Sequence, residues 1–229
     1  MNHVLKDMLE TGQVSDGTEI LPLRAHMDKR EGDLLSKVIA CVQPTTSLEV
    51  GFAYGVSTLF ICEALAKLEK PARHIVIDPF QFSNWKGIGL RNVERAGYRQ
   101  FIEFREKRSE IALPQLLAEK TLLDMALIDG WHTFDHALVD FFYVNKMLRV
   151  GGIVVLDDSC FASVGKLVDH ILTYGCYREF GNPSGPPSRF TRRVAHYARL
   201  EGPKWRMPSA IALEKIAPDD RPWDWYRPF

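Results

Sequence analysis

Two short runs, Ile75-Val76-Ile77 and Ile153-Val154-Val155-Leu156, are apolar and mostly β-branched at every position instead of every second one. A strand with one wetted face alternates polar and apolar side chains, so an unbroken run belongs to a strand covered on both faces, at the middle of a sheet. These runs extend over 74–78 and 152–157, and three more β-like runs, 47–50, 101–104 and 125–129, alternate with helix-like stretches. That order predicts an α/β doubly wound fold, a mostly parallel sheet with helices on both faces. A helix is predicted over 57–70, with Thr58, Ile61, Leu65 and Leu68 on one face, lysines in its last turn and Pro71 beyond. A second is predicted over 133–149, its buried stripe made of Leu138, Phe141, Phe142 and Leu148 and its end set by Gly151-Gly152. A third spans 163–174, with Val164, Leu167, Val168 and Ile171 inward and Gly175 as the stop. Two later β-like runs, 176–180 and 209–214, bring the strands to seven.

With 229 residues, one core is the simpler expectation: a single domain over 1–229. Within it, 1–32 reads as an arm or lid, 33–175 as the ligand-binding core, and 176–229 as C-terminal strands, loop and tail. Residues 181–188 are too rich in Gly and Pro for a regular element and read as an exposed loop; Arg189, Arg192 and Arg193 beyond it read as a solvated face with no assigned role. Lys plus Arg and Asp plus Glu each total 29, so no positive field draws the chain to nucleic acid or anionic lipid. Cys41, Cys62, Cys160 and Cys176 form no C-x-x-C pair and read as reduced packing cysteines. No basic-then-apolar leader and no apolar run of about 20 residues is present, and a cytoplasmic location is expected.

After the first core strand comes Gly51-Phe52-Ala53-Tyr54-Gly55, followed at once by a helix opening at Val56-Ser57-Thr58. A strand that turns sharply into a helix needs glycine where the backbone takes positive φ or touches a ligand, and the helix start offers unpaired N–H groups. The spacing G-x-x-x-G is not the dinucleotide fingerprint G-x-G-x-x-G, which disfavours an NAD-dependent oxidoreductase, and the Gly-Lys-Ser/Thr of a triphosphate loop is missing. The next strand ends in Asp78, where a carboxylate can accept hydrogen bonds from the ribose hydroxyls of an adenosine-type cofactor.

The stretch 49–57, Glu-Val-Gly-Phe-Ala-Tyr-Gly-Val-Ser, resembles motif I of class I S-adenosylmethionine-dependent methyltransferases, and Ile77-Asp78-Pro79 resembles their second motif. The wording Leu127-Ile128-Asp129-Gly130-Trp131-His132 is similar to the small bacterial O-methyltransferase branch, and the likeness covers roughly 33–175. The resemblance implies a Rossmann-like sheet of seven strands with the last antiparallel. It also implies S-adenosylmethionine held by Glu49, Gly51, Phe52, Ala53, Tyr54, Gly55, Ser57, Asp78, Ser109 and Asp129.

Asp129 and the pair Asp157-Asp158 end adjacent strands at the rim where α/β sheets bind ligands. Three carboxylates at one rim repel unless protons, arginines or a cation intervene, and oxygen ligands suit Mg²⁺ or a similar hard ion. Catechol-type and macrolide-sugar O-methyltransferases, which the chain resembles, hold a divalent metal with acids at these two strand ends. Carried over, Asp129, Asp157 and Asp158 become metal ligands and His132 the general base. The expected reaction is metal-assisted O-methylation of a small hydroxylated molecule, with homo-oligomerisation left open. The alternatives are a metal-independent methyltransferase on another acceptor atom and a non-catalytic cofactor-binding module. Trp131, where relatives often carry a small or acidic residue, keeps the last alive.

Overall fold

The computed structural model describes residues 1–181 and 210–227. The elements run α1 (His3–Thr11), β1 (Gln13–Ser15), β2 (Ile20–Pro22), α2 (Lys29–Val42), β3 (Thr46–Val50), α3 (Val56–Ala66), β4 (Arg73–Ile77) and α4 (Ile88–Arg95). They continue with β5 (Ile102–Arg105), α5 (Ser109–Ala118), β6 (Leu123–Ile128), α6 (Phe134–Met147), β7 (Leu148–Leu156), α7 (Ala162–Ile171), β8 (Tyr177–Glu179) and β9 (Ile211–Lys215).

Seven strands form one sheet in the order β5-β4-β3-β6-β7-β9-β8. The pairs from β5 to β7 are parallel, and β9 runs antiparallel between β7 and β8. The expected doubly wound sheet with an antiparallel last strand is therefore present; the edge is β8, and β9 lies inside it. Alternate side chains of the unbroken apolar strands feed two separate cores. Val76, Met125, Leu127, Ile153 and Val155 join the layer of α1 to α4, while Ile75, Ile77, Ala126, Val154 and Leu156 join that of α5 to α7. This two-sided burial is what the continuous hydrophobic runs require.

Three expectations are corrected. The helix predicted over 57–70 ends at Ala66, and it is buried on nearly all sides because α1, α2 and α4 pack around it. The helix predicted to reach residue 149 stops at Met147; β7 begins at Leu148 with no turn between, so Gly151 and Gly152 lie inside the strand. Phe142, assigned to the buried stripe, is half exposed, with Lys146 over its ring at 4.8 Å.

All four cysteines are free, but Cys41 is exposed and packs no core. The strand expected over 209–214 is observed as β9, while Arg189, Arg192, Arg193 and residues 182–209 lie outside the described residues. No helix among the described residues is long and apolar enough to cross a membrane.

Candidate active site

β3 is flanked by β4 and β6, so the sheet's winding direction reverses there and a crevice opens at the carboxyl ends of the strands. A cavity of about 750 Å³ occupies this edge. Its floor is the loop after β3. Gly51 adopts φ +95°, and a Cβ there would stand 2.1 Å from the Asp129 carbonyl oxygen, so the end of β6 leaves room only for glycine. Gly55, at φ +84°, opens α3 in the left-handed conformation.

Asp78 holds this loop in shape. Its Oδ2 accepts from the backbone N–H of Phe52 (3.1 Å) and Ala53 (2.9 Å), and its Oδ1 from that of Phe80 (2.7 Å). A carboxylate offers about four acceptor positions, so two are spent on the loop and a third on Asp78's own turn, which leaves about one for a ribose diol. Gln81 and Asn92 bind the carbonyls of Ala53 and Tyr54 at 3.0 and 3.1 Å, tying the loop to the α4 region. Gly51, Phe52, Ala53, Ser57, Asp78, Ser109 and Asp129 line the cavity as expected for cofactor contacts; Glu49, Tyr54 and Gly55 do not and stand behind its wall.

Glu49 is fully buried. Ser57 Oγ and Thr58 Oγ1 donate to it, the latter at 2.6 Å, and His74 Nε2 lies 2.9 Å away. His74 Nδ1 meets Ser47 Oγ at 2.9 Å.

The far wall carries the acidic rim. His132 sits between two acids, Nε2 3.4 Å from Asp129 Oδ1 and Nδ1 3.3 Å from Asp158 Oδ2. Asp158 is held at φ +50°, an uncommon conformation for a residue with a side chain. Burial raises the Asp129 carboxyl well above the usual range. Burial, then repulsion from Asp129, pushes Asp157 up to about 8, and the two side chains share a hydrogen bond. Such mutual repulsion is relieved by a shared proton or by a cation. Trp131 and Phe161 are half exposed at the mouth, Trp131 against His136 at 4.6 Å and Phe161 edge-on to His132 at 5.8 Å.

The oxygen-rich donor set, with its mutual repulsion, is chemically suited to a hard cation. Its geometry is not that of a finished cage: among the described residues no three His, Cys, Asp or Glu side chains converge as metal ligands. The three expected metal ligands therefore share one rim without forming an assembled site.

Ser109, at the start of α5, also faces the cavity, and Asp140 of α6 hydrogen-bonds to it from behind. Asp140 is buried, its Oδ1 has no partner among the described residues, and burial raises its carboxyl to about 6.

The sequence reads as an arm or lid over 1–32 without singling out the residues that form a roof. Residues 23–28 and Glu31 close the cavity from the N-terminal side. They are fixed at one end by the Asp28–Glu31 capping box that starts α2, and the hairpin before them is fixed by Lys86, whose Nζ lies 3.0 Å from Asp16 and 2.9 Å from Glu19. The D-x-x-E spacing of that capping box was the available signal.

With loop, acidic strand end and rim around one hollow, comparison with known proteins becomes decisive. Residues 48–159 match the methyltransferase domain family. By that match residues 48–159 form a methyltransferase domain. Bovine catechol O-methyltransferase is 24% identical over 150 residues, which is 64% of this chain and 53% of that protein, so the match spans about half the length of the curated relative. The methyltransferase fold extends further. The O-methyltransferase from Bacillus cereus, solved with S-adenosylhomocysteine, aligns with TM-score 0.61 at 18% identity, over 94% of this chain and 92% of the other. The O-methyltransferase TomG from Streptomyces achromogenes, solved with S-adenosylmethionine, aligns with TM-score 0.60 at 17% identity, over 94% and 90%.

Proposed function

We propose that this methyltransferase transfers the methyl group of S-adenosylmethionine to a hydroxyl oxygen of a small molecule. The observation that carries the reading is the shared cavity: the Gly51–Ala53 loop and Asp78 line one end, and Asp129, His132, Asp157 and Asp158 line the other. The acceptor oxygen attacks the methyl carbon, the carbon–sulfur electron pair returns to sulfur, and the hydroxyl proton leaves to a base. The sulfonium is already activated, so the protein's work is alignment and proton removal. His132, oriented by Asp129 and Asp158, is the base in this reading. Asp129, Asp157 and Asp158 would hold a divalent cation such as Mg²⁺, which when bound would make the acceptor hydroxyl more acidic.

A metal-free version of the same reaction is favoured by one observation, the imidazole already resting between Asp129 and Asp158. The two versions separate under chelation. With a catechol as trial acceptor, EDTA-treated protein is expected to lose at least about tenfold in turnover and regain it with Mg²⁺, whereas undiminished turnover would remove the metal. His132→Ala is expected to lower kcat by about 10²–10⁴ in either version. Failure of S-adenosylmethionine to raise the melting temperature would overturn the cofactor assignment itself.

A further inference from the structure

The turn that joins β7 to α7 gives up local stability at three places. Asp158 is held at φ +50°, where residues with a side chain are uncommon. Phe161 stands at the N-cap of α7, a position that favours Ser, Thr, Asp or Asn, and no side chain caps the helix. Gly165 lies within α7, where glycine is unfavourable, and a Cβ there would stand 2.8 Å from the Ser159 carbonyl oxygen. Local rules broken together mark a segment shaped for something outside itself.

What this segment reaches is His132. Asp158 Oδ2 lies 3.3 Å from the ring Nδ1, Phe161 meets the ring edge-on at 5.8 Å between centroids, and Ser163 Oγ donates to the backbone carbonyl of His132 at 2.5 Å. The distances rank the contacts. Those from the ring to Asp158 and Asp129, 3.3 and 3.4 Å, are long for hydrogen bonds, whereas the one from Ser163 is short. His132 is therefore held more tightly by its backbone than by its ring. Its own helix gives it little support, because His132 precedes the N-cap Thr133 and the ladder of α6 starts at the Thr133 carbonyl, which accepts from Ala137 at 3.1 Å.

We infer that Ser163 is a positioning residue for His132: by fixing the His132 peptide from α7 it keeps the imidazole between Asp129 and Asp158, so the turn that carries two of the acids also sets the base. This rests on the reading of His132 as base given above. Ser163 does not line the cavity, and it acts on the reaction only through His132. An alanine at 163 removes the donor and leaves the His132 peptide free to turn, and a small misplacement of a proton-accepting group is costly to rate.

With S-adenosylmethionine and catechol, Ser163→Ala is expected to lower kcat about tenfold and to leave the KM for S-adenosylmethionine within about twofold. Ser163→Thr, which keeps the hydroxyl, is expected to bring turnover back to within about twofold of wild type. In a His132→Ala background, Ser163→Ala is expected to cost nothing further, since the ring it acts through is gone. A second measurement needs no acceptor. In protein with ¹³C-labelled histidine rings, Ser163→Ala is expected to shift the His132 signal, identified by its loss in His132→Ala, and to leave that of the buried His74 in place. If catechol is not turned over, this signal decides alone; if Ser163→Ala does not fold, Ser163→Cys, close in shape but a weak donor, carries the same comparisons. An unmoved His132 signal, a loss of equal size with or without His132, or a loss that Ser163→Thr does not rescue would overturn the positioning role and leave the base reading standing. Full turnover by His132→Ala itself would overturn both.

Discussion

The two ends of the cavity treat buried polar groups in opposite ways. At the loop end, Asp78 accepts three backbone N–H groups, Gln81 and Asn92 hold loop carbonyls, and Glu49 is surrounded by donors. At the rim, carboxylates crowd until burial and repulsion raise Asp129 and Asp157 and Asp158 takes a left-handed backbone, and behind Ser109 the buried Asp140 keeps an oxygen with no partner among the described residues. The difference separates a shape that is complete before a ligand arrives from one left electrostatically open. A cofactor that is the same in every turnover can be met by a finished mould. A proton or cation that must come and go needs a place where charge is not already satisfied.

The sharpest way to break this contrast is Gly51→Ala. The added methyl would collide with the Asp129 carbonyl at a backbone φ that alanine avoids, and the loop cannot move without losing its bonds to Asp78. A loss of about 3 kcal/mol or more in stability is expected, together with loss of the thermal shift given by S-adenosylhomocysteine. Denaturant melts with and without the ligand measure both; near wild-type values would show that the loop end is not a rigid mould.

Asp140, buried behind Ser109, predicts a pH effect of intermediate size. The Asp140 carboxyl is raised from 3.8 to about 6 in the fold, so the native state holds this proton more tightly than the unfolded chain. Its contribution is complete below about pH 4 and lost as pH rises through about 6, a change of about 3 kcal/mol. Asp140→Asn should remove that part of the slope between about pH 4 and 6. Identical slopes in urea melts of the two proteins would remove Asp140 from the list of strained groups.

Lys86→Ala should do least. Lys86 is half exposed and so is Glu19, though Asp16 is largely covered, so the melting temperature should move little. The expected readout is local: faster protease cleavage within residues 12–25, which S-adenosylmethionine suppresses if the hairpin steadies the roof over the bound cofactor. Unchanged cleavage would show that the arm is held by Leu23 and Met27, both buried, without help from Lys86.

Much of the core was legible because its signals are local. Unbroken runs such as Ile153 to Leu156 announced two-sided burial, and Gly51, Asp78, Asp129 and Asp157 announced themselves at strand ends. The α6 to β7 junction was not legible, since Met147 and Leu148 carry no glycine or proline between helix and strand. Glu49 was misplaced for a related reason. Motif position puts it beside the cofactor, but strand alternation turns it into the layer under α3, where its partners come from 8, 9 and 25 residues away.

Sequence by itself determined the α/β class, the central strands, the glycine turn and the acids at the carboxyl edge, because each depends on hydrophobic period or on backbone freedom within a few residues. Only the tertiary structure decided that Asp78 spends two of its acceptors on the loop, that His132 rests between Asp129 and Asp158, and that residues 23–28 roof the cavity. Those facts depend on which distant groups meet and how many hydrogen-bonding positions each has left, and a linear pattern does not record either.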